Sequence, residues 1–297
     1  MSKSQIKELI ESRLAQDGLV DTAVKGVQLF RVTEPHNCAP AVYEPTVVAI
    51  LSGAKEAILD GTRYSYDSSR YMCCPIPLPV EAGTPSASPD EPLLGVYVSL
   101  DAAMMSELAI KMQSACVSSR NATDGTLPQS FALAQWDKAF TDALLRLLQL
   151  SESPADTEVL GDSRLRELYY AVLKGQAGDS ARRAFGVGNE IARAIVYLST
   201  HLNESITIEE IAAQAGMSRA VFHRKFKQTT TMSPIQFVKS MRLNKAAMKI
   251  ATGTTVNEAA MEVGYVSSSQ FSREFKRMYG QSPKQWKSFT RLPAGMT

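Results

Sequence analysis

Metal-binding and disulfide-forming residues are scarce in this sequence. Among 297 residues there are only three histidines and four cysteines. The cysteines are Cys38, Cys73, Cys74 and Cys116, and they lack the paired CxxC spacing of a zinc site. The histidines are His36, His201 and His223, and only His36 lies in the first half of the chain. A metal enzyme that needs clustered histidines beside a carboxylate is therefore not expected, and neither is a bound cofactor.

Long apolar segments are also missing. No stretch approaches the roughly 18 consecutive apolar residues that a membrane-spanning helix needs. The first residues, MSKSQIKELIESRLAQD, are amphipathic and charged, without the apolar core of a secretory signal. We therefore expect a cytoplasmic protein that does not bind membranes and whose cysteines stay reduced.

Net charge is almost absent from the whole chain but not from its two parts. The 32 Lys and Arg residues against 30 Asp and Glu residues give a net charge of +2. Residues 1–185 hold 17 basic and 23 acidic residues, net −6, whereas residues 186–297 hold 15 and 7, net +8. A basic part joined to an acidic part is typical of a nucleic-acid-binding domain attached to a domain of another kind. A solvated basic face without a partner is the alternative.

The acidic part begins with a helix and continues with segments of strand-like composition. Between residues 26 and 100, short runs rich in Val, Ile, Leu and Tyr are separated by Gly, Pro and Asp, which predicts antiparallel strands in a small barrel or sandwich. Asp60-Gly61 predicts a hairpin turn. Apolar residues at helical spacing predict a helix over residues 6–14 and further helices between residues 101 and 175, with a polar loop over residues 114–130.

The basic part is helical in pattern and contains an internal repeat. Shifting the sequence by 49 positions aligns FHRKFK (222–227) with FSREFK (271–276), and SPIQF (233–237) with SPKQW (282–286). In each copy Thr-x-x-Glu predicts a capping box that starts a short helix, and Gly216 or Gly264 predicts a sharp turn after it. Ser218 or Ser267 then caps a second helix with two phenylalanines on one buried face. Each copy is a predicted helix-turn-helix, and the helix after Ser233-Pro234 is the predicted connector.

Further characteristic residues extend over about a hundred positions in unbroken order. They are Gly216-Met217-Ser218, Phe222-x-Arg224-x-Phe226-Lys227, Ser233-Pro234, Arg242-Leu243-x-x-Ala246, Glu258-Ala259-Ala260-x-x-Val263-Gly264-Tyr265, Phe271-Ser272-Arg273-x-Phe275-Lys276 and Tyr279-Gly280-Gln281-Ser282-Pro283. With this pattern, residues 186–297 resemble the DNA-binding domain of the AraC/XylS family of bacterial transcription regulators. Two departures are Thr231, where the family usually has glycine, and Trp286-Lys287, where an aromatic-Arg pair usually closes the second copy. Both concern local turn geometry and leave the predicted reading face unchanged.

The front part carries a weaker likeness. Its matching residues are Tyr43-Glu44-Pro45, Gly53-Ala54-Lys55, Tyr64-x-Tyr66, Pro77-Leu78-Pro79, Glu91-Pro92-Leu93 and Leu100-Asp101. They resemble the cupin-like N-terminal domain of one branch of the same family. The resemblance implies an α+β protein, with a cupin-like sensory or dimerisation β-barrel and flanking helices over residues 1–185 and an all-α DNA-binding domain with two helix-turn-helix units over residues 186–297. It also implies a signal-responsive activator that binds double-stranded DNA, contacts RNA polymerase and forms a homodimer.

The second helix of each unit is the predicted reading helix. The residues predicted to meet a DNA major groove are Arg219, Ala220, His223 and Arg224 in the first unit and Ser268, Ser269, Gln270 and Arg273 in the second. Arg273 favours base contact, Arg224 suits a base or a phosphate equally, and His223 suits a base contact or a solvated position. Residues 268–270 suit base contacts or helix capping. The predicted phosphate contacts are Lys225, Lys227, Arg242, Lys276 and Lys284.

Two kinds of signal are open for the predicted barrel. A small-molecule effector is expected to contact alternate strand residues that line the interior, such as Val48, Ile50, Tyr64 and Tyr66. Alternatively, Cys73 or Cys74 senses an oxidant or electrophile, which requires a lowered thiol pKa. Buried cysteines are most often small hydrophobic residues, so the small molecule is favoured. A cupin enzyme is the competing class, and the scarcity of histidine argues against it.

Overall fold

The computed structural model of the chain describes residues 2–115, 130–150, 153–204 and 207–286. The predicted polar loop falls almost entirely on residues 116–129, outside the described residues, as does Cys116. In the described segments the first half is rich in strands and the second half is helical, which confirms the α+β class. None of the helices in these segments has the length and apolar composition of a membrane span.

The strands of the N-terminal part form two antiparallel sheets. They are β1 (Gly18–Asp21), β2 (Val27–Val32), β3 (His36–Tyr43), β4 (Thr46–Ser52), β5 (Ala54–Leu59), β6 (Thr62–Asp67), β7 (Arg70–Cys74), β8 (Leu78–Thr84), β9 (Leu93–Ser99) and β10 (Ala132–Gln135). The larger sheet has the order β1-β2-β9-β4-β7-β10, and the smaller sheet has the order β3-β8-β5-β6. Within the described residues the sheets are not closed into one barrel, so the predicted β-barrel takes the form of two separate sheets.

Local sequence rules explain which strands could be predicted. Asp60 and Gly61 have φ angles of 47° and 78°, the left-handed values of a type I′ turn, and they join β5 to β6. The strand-like runs of the sequence coincide with β2, β4, β5, β6, β7 and β9, and they miss β1, β3, β8 and β10. Pro40 in β3 and Pro79 in β8 conceal two of these strands, because proline normally interrupts a strand pattern. Pro40 lies on the edge strand β3. Pro79 lies in the part of β8 that pairs with β3 but not with β5 in the described ladder.

The helices surround the sheets and form the C-terminal part. They are α1 (Ser2–Arg13), α2 (Ala102–Ala115), α3 (Lys138–Gln149), α4 (Pro154–Lys174), α5 (Gly178–Phe185), α6 (Glu190–Thr200), α7 (Ile208–Gln214), α8 (Arg219–Thr230), α9 (Pro234–Ala251), α10 (Val256–Glu262), α11 (Ser268–Tyr279) and α12 (Pro283–Trp286). The apolar stripe of α3 is buried, and its Phe140 stacks on Tyr71 of β7 with ring centroids 4.0 Å apart. Helix α3 therefore covers one face of the larger sheet.

The helical part packs directly on the β part. Helix α9 lies against β3 and β8. One hydrophobic core runs from the two sheets through α6, α7 and α8 to Phe237 and Met241 in the first half of α9. A second core joins the rest of α9, from Leu243 to Ile250, to α10, α11 and α12. The first helix pair therefore shares the core of the β part, whereas the second helix pair has a core of its own.

Candidate nucleic-acid interface

Reciprocal capping boxes start the first helix of each predicted unit. The Thr207 backbone N–H donates to Glu210 Oε2 at 2.9 Å, and the Glu210 backbone N–H donates to Thr207 Oγ1 at 3.3 Å. Thr255 and Glu258 repeat the arrangement at 3.2 and 3.3 Å. Two of the otherwise unpaired N–H groups at each helix start are thereby satisfied. Both capping boxes predicted from the sequence are therefore confirmed.

A glycine in the left-handed region follows each of these short helices. Gly216 has a φ of 66°, and Gly264 has a φ of 86°. The two turns differ in their surroundings. A Cβ on Gly264 would lie 2.6 Å from the Leu202 carbonyl oxygen and 2.8 Å from Asn203 Cα, whereas a Cβ on Gly216 would meet nothing within 4 Å. At Gly264 the loop that precedes the first unit therefore touches the turn of the second unit.

The predicted reading helices α8 and α11 start at serine caps and are anchored by phenylalanine pairs. Ser218 and Ser267 each accept a hydrogen bond from a backbone N–H of the first turn. Phe222 and Phe226 are fully buried with ring centroids 5.5 Å apart, and Phe271 and Phe275 repeat this at 5.4 Å. The predicted core role of the four phenylalanines is confirmed. The opposite side of each helix is left for solvent or for a partner.

Most predicted DNA-contacting residues lie on that outer side. The exposed ones are Arg219, Ala220, Arg224 and Lys227 on α8 and Ser268, Ser269, Gln270, Arg273 and Lys276 on α11. Arg219 also forms a 2.6 Å ion pair with Glu209 of α7. His223 is only half-exposed, and its Nε2 atom is buried with no hydrogen-bond partner among the described residues. The structure thus brings together an exposed polar and basic face on each reading helix.

A carboxylate that the sequence analysis did not single out lies at the centre of a network on α11. Glu274 accepts hydrogen bonds from the Tyr265 hydroxyl at 2.8 Å and from Gln270 Nε2 at 3.2 Å. Lys239 Nζ of α9 lies 3.4 Å from Glu274 Oε2. Partial burial alone would raise the pKa of Glu274, but these hydrogen bonds and the lysine bring it below its usual value. Glu274 therefore stays ionised and holds the Gln270 side chain, and only its four-residue spacing from Gln270 could have indicated this.

Arg242 on α9 occupies a different place from the one predicted. Its guanidinium lies over the Tyr265 ring, 6.0 Å from the centroid, and Nη2 donates to the Glu204 carbonyl oxygen at 3.5 Å. Its Nε atom is buried. These contacts join the loop before the first unit to the turn of the second unit. The side chain is therefore directed at the protein, which does not fit the phosphate contact predicted from the sequence.

The residues predicted to contact a small-molecule effector lie on strands of both sheets. Val48 and Ile50 of β4 and Tyr66 of β6 are buried, and Tyr64 is half-buried. The Tyr66 hydroxyl lies 3.2 Å from the Tyr43 hydroxyl. The Phe131 ring lies 4.9 Å from Tyr64, 6.1 Å from Tyr66 and 6.5 Å from Tyr43, measured between centroids. We call Tyr43, Tyr64, Tyr66 and Phe131 the aromatic cluster.

A buried lysine borders the aromatic cluster. Lys55 of β5 is only 7% exposed, and its Nζ lies 5.4 Å from the centre of the Tyr43 ring. Burial lowers the pKa of Lys55 to about 8. Lys55, Tyr43 and Phe131 are not among the site residues predicted from the sequence. The alternation in β5, where Lys55 shares a face with Ala57 and Leu59, could have indicated the lysine.

The neighbouring cysteines of β7 point to opposite faces of the larger sheet, as predicted from strand geometry. Cys73 lies on the side of Tyr71, and Cys74 lies near Tyr43 and Tyr66 between the sheets. Both side chains are fully buried. Burial raises the pKa of Cys73 to about 12 and the pKa of Cys74 well above its usual value. Neither thiol is held as the reactive thiolate.

We expect Cys73 and Cys74 to resist alkylation in the native protein. With a pKa of about 12, Cys73 has roughly three orders of magnitude less thiolate at neutral pH than free cysteine. Iodoacetamide labelling followed by peptide mass spectrometry measures the rate at each site. Half-buried Cys38 serves as the internal comparison, and both β7 cysteines should label fully after unfolding in urea. Labelling of either cysteine as fast as free cysteine would support the thiol-sensing hypothesis instead.

No group of three or more His, Cys, Asp and Glu side chains that could hold a metal ion lies within the described segments.

Comparison with known proteins assigns both parts of the chain. The family model for the N-terminus of AraC-type transcriptional regulators matches residues 23–180, which is more than half of the chain. A helix-turn-helix domain model matches residues 211–288. The HTH-type transcriptional regulator MtrA of Neisseria gonorrhoeae is 41% identical over 81 residues, 27% of each chain. The raffinose operon regulatory protein RafR of Pediococcus pentosaceus is 27% identical over 145 residues, 48% of this chain and 52% of RafR.

A solved structure shares the two-part architecture. It is unsaturated fatty acid bound ToxT from Vibrio cholerae, with a TM-score of 0.54 and 11% identity over 90% of this chain and 96% of the ToxT chain. At this identity the likeness is one of fold. The chain spans about a quarter to a half of the length of the curated relatives MtrA and RafR.

Proposed function

The chain belongs to the AraC-type transcriptional regulators, and we propose that it binds a specific DNA sequence through two helix-turn-helix units and activates transcription in response to a small molecule. The observation that carries the proposal is the duplication. The pairs α7–α8 and α10–α11 have equivalent capping boxes, turn glycines, serine caps and buried phenylalanines. Each pair presents an exposed polar and basic face on its second helix. Two such faces joined by one connector fit a site with two recognition elements on double-stranded DNA.

In the second unit, Arg273 reads a base and the start of α11 supports it. The guanidinium fork of Arg273 can donate two hydrogen bonds to guanine O6 and N7. Ser268, Ser269 and Gln270 contact neighbouring bases or phosphates, with Gln270 oriented by Glu274. Lys276 contacts a phosphate and supplies affinity that is independent of sequence.

In the first unit, Arg224 is the corresponding reading residue. Ala220 packs against a base or the sugar edge, and His223 approaches the same groove from its half-exposed position. Lys227 contacts a phosphate. Arg219 keeps its ion pair with Glu209 and positions the start of α8 on the DNA backbone. Arg242 is not part of the proposed interface.

The effector occupies the space between the sheets beside Val48, Ile50 and the aromatic cluster. A binding site of this kind combines apolar and aromatic walls with a few polar groups, here the hydroxyls of Tyr43 and Tyr66. Thiol sensing is not part of the proposal, because burial raises the pKa of both β7 cysteines. ToxT carries an unsaturated fatty acid in its solved structure.

The proposal also includes a homodimer and contact with RNA polymerase, as the family assignment leads us to expect. We place the dimer contact on helix α4, where Val159 is 75% exposed and Tyr170 is 45% exposed. Burial of these apolar side chains against a second copy would contribute hydrophobic stabilisation to the pair. We also propose a domain boundary near residue 186, because the net charge changes sign between the two parts of the chain there.

The fragment of residues 186–297 is expected to footprint the same site as the full chain, but more weakly. A random DNA pool first yields the site that the full chain selects. The fragment lacks the part that would join two copies, so each copy binds the DNA independently. Its affinity should be about 100-fold lower or more, since joining two DNA-binding domains raises the effective concentration of the second one. The fragment also loses the packing of α9 on β3 and β8, so its melting temperature should fall. Electrophoretic mobility shift and footprinting measure the fragment and the full chain in the same buffers.

The selection experiment also tests the proposed function as a whole. Selected DNA should bind far more tightly than random DNA, and the affinity for both should fall steeply with salt. A full chain that enriches no sequence and shows no salt-dependent binding would overturn the proposal. A fragment that is folded but protects a different site would overturn the boundary alone.

A further inference from the structure

A buried asparagine connects the β part to the second helix-turn-helix unit. Asn244 lies on α9 and is 2% exposed. Its Nδ2 atom donates to the carbonyl oxygens of Ala41 at 2.7 Å and Val80 at 2.8 Å. Its Oδ1 atom accepts a hydrogen bond from the Tyr279 hydroxyl at 2.7 Å. Backbone carbonyls can only accept, so the amide has one orientation that satisfies all three partners.

The two carbonyls belong to directly opposite residues of the β3–β8 ladder. Ala41 pairs with Val80 in the antiparallel register. A single amide group therefore bridges both strands and depends on their alignment. Two positions along β3, Tyr43 shares the face of Ala41 and belongs to the aromatic cluster. A movement of Tyr43 in the space between the sheets is therefore transmitted along a short segment of β3 to the carbonyls that Asn244 contacts.

The third partner ends the second reading helix. Tyr279 is the last residue of α11, and its ring lies 4.6 Å from Phe275 and 5.1 Å from Trp286 between centroids. It therefore belongs to the separate core of the second unit. Burial raises the pKa of Tyr279 well above its usual value, so its hydroxyl remains a hydrogen-bond donor.

The first unit has a different anchorage. Its phenylalanines share one continuous apolar core with the sheets. An apolar core is not directional, whereas the Asn244 amide fixes both distance and angle. The polar contact is therefore the part of the interface that can set the orientation of α11 against the β part.

We propose that Asn244 is a positioning residue that couples the β3–β8 strand pair to the second reading helix through Tyr279. This inference rests on the proposed function, since it assigns a regulatory route to the proposed DNA interface. Coupling between two sites is reciprocal in free energy. If intact β3–β8 pairing favours DNA binding at α11, DNA bound at α11 must stabilise the pair by the same factor. DNA holds Tyr279 in place, Tyr279 holds the amide, and the amide restrains opening of the two strands.

Hydrogen exchange measured by mass spectrometry tests this coupling in the full chain. The probe is the DNA that the full chain selects from a random pool. In the wild type, saturating DNA should slow exchange in peptides covering β3 and β8 by about fivefold or more, the lower end of typical allosteric coupling. Tyr279→Phe removes one hydroxyl and leaves the clamp of Asn244 on the strands. It should retain DNA binding but lose the DNA-dependent slowing in β3 and β8.

Tyr265→Phe is the matched control, because it removes a buried hydroxyl of the same unit whose partner is Glu274. Because Glu274 also orients Gln270, DNA is kept at a saturating concentration for this variant, and under that condition Tyr265→Phe should keep the DNA-dependent slowing. Asn244→Ala, checked for folding by circular dichroism, should lose the slowing as Tyr279→Phe does. The coupling is overturned if the wild type shows no slowing, or if Tyr279→Phe slows exchange as much as the wild type. Absence of DNA binding by the wild type would instead overturn the proposed function.

Discussion

Gly264→Ala is expected to destroy the second helix-turn-helix unit while leaving the first one folded. The residue has a φ of 86°, and an added Cβ would lie 2.6 Å from the Leu202 carbonyl oxygen and 2.8 Å from Asn203 Cα. A left-handed backbone costs an alanine roughly 1–2 kcal/mol, and forced overpacking costs about 1–3 kcal/mol more. Both opposing atoms are backbone atoms, so neither can move without shifting the loop before the first unit.

The separate core of the second unit determines how this strain is released. Because α10, α11 and α12 pack with the second half of α9 in their own cluster, they can unfold without disrupting the core that the first unit shares with the sheets. We therefore expect loss of the footprint over one half of the DNA site and an early transition in thermal denaturation. Protection over the other half should persist.

Gly216→Ala provides the matched control in the same fold. Its φ of 66° carries a similar backbone strain, but an added Cβ meets nothing within 4 Å. The expected destabilisation is about 1–2 kcal/mol, from the left-handed conformation alone. Equal effects of the two substitutions would show that the contact of the Gly264 turn with the loop before the first unit does not limit stability. Circular dichroism and footprinting of both variants decide the comparison.

The helix-turn-helix units could be predicted because their geometry depends on neighbours in sequence. Thr207 and Glu210 are three residues apart, and the N-cap of Ser267 acts within the same turn. The left-handed turn glycines depend on one residue each. The turn at Thr231 is an exception, because it has threonine where the family usually has glycine. It has a φ of 66°, close to the 73° of Gly280 in the second unit, so the turn survives the departure from glycine.

The docking of α9 could not be predicted, because its contacts join distant positions. Asn244 is 203 residues from Ala41 and 164 residues from Val80. Nothing in the local pattern of α9 distinguishes this asparagine from a solvated one. Phe131 is a second example of a contact between distant positions. Its ring lies near Tyr43 and Tyr66 because the following strand, β10, pairs with β7. Local patterns thus predicted the reading helices, whereas the contacts of α9 with the β part depend on the assembled fold.

Arg273→Ala is expected to reduce affinity for the selected site and to relax base preference at one position. The arginine is exposed on the outer side of α11, opposite buried Phe271 and Phe275. A bidentate contact with guanine supplies about 1–3 kcal/mol of discrimination, which corresponds to roughly 5- to 150-fold in affinity. Affinity for random DNA should fall much less. Competition binding against every single-base variant of the site measures the preference directly.

Arg273→Lys separates the guanidinium fork from its charge. Lysine keeps the positive charge but lacks the planar pair of donors, so it should retain binding to random DNA while losing part of the base preference. Lys276→Ala gives the opposite pattern. It should weaken binding to all sequences alike and reduce the slope of log affinity against log salt by about 0.9, the value for one phosphate contact. If Arg273→Ala instead lowers affinity for selected and random DNA equally and shifts the salt slope as Lys276→Ala does, Arg273 contacts a phosphate. Base readout in the second unit would then rest on Ser268, Ser269 and Gln270, whose exposed side chains open the same helix.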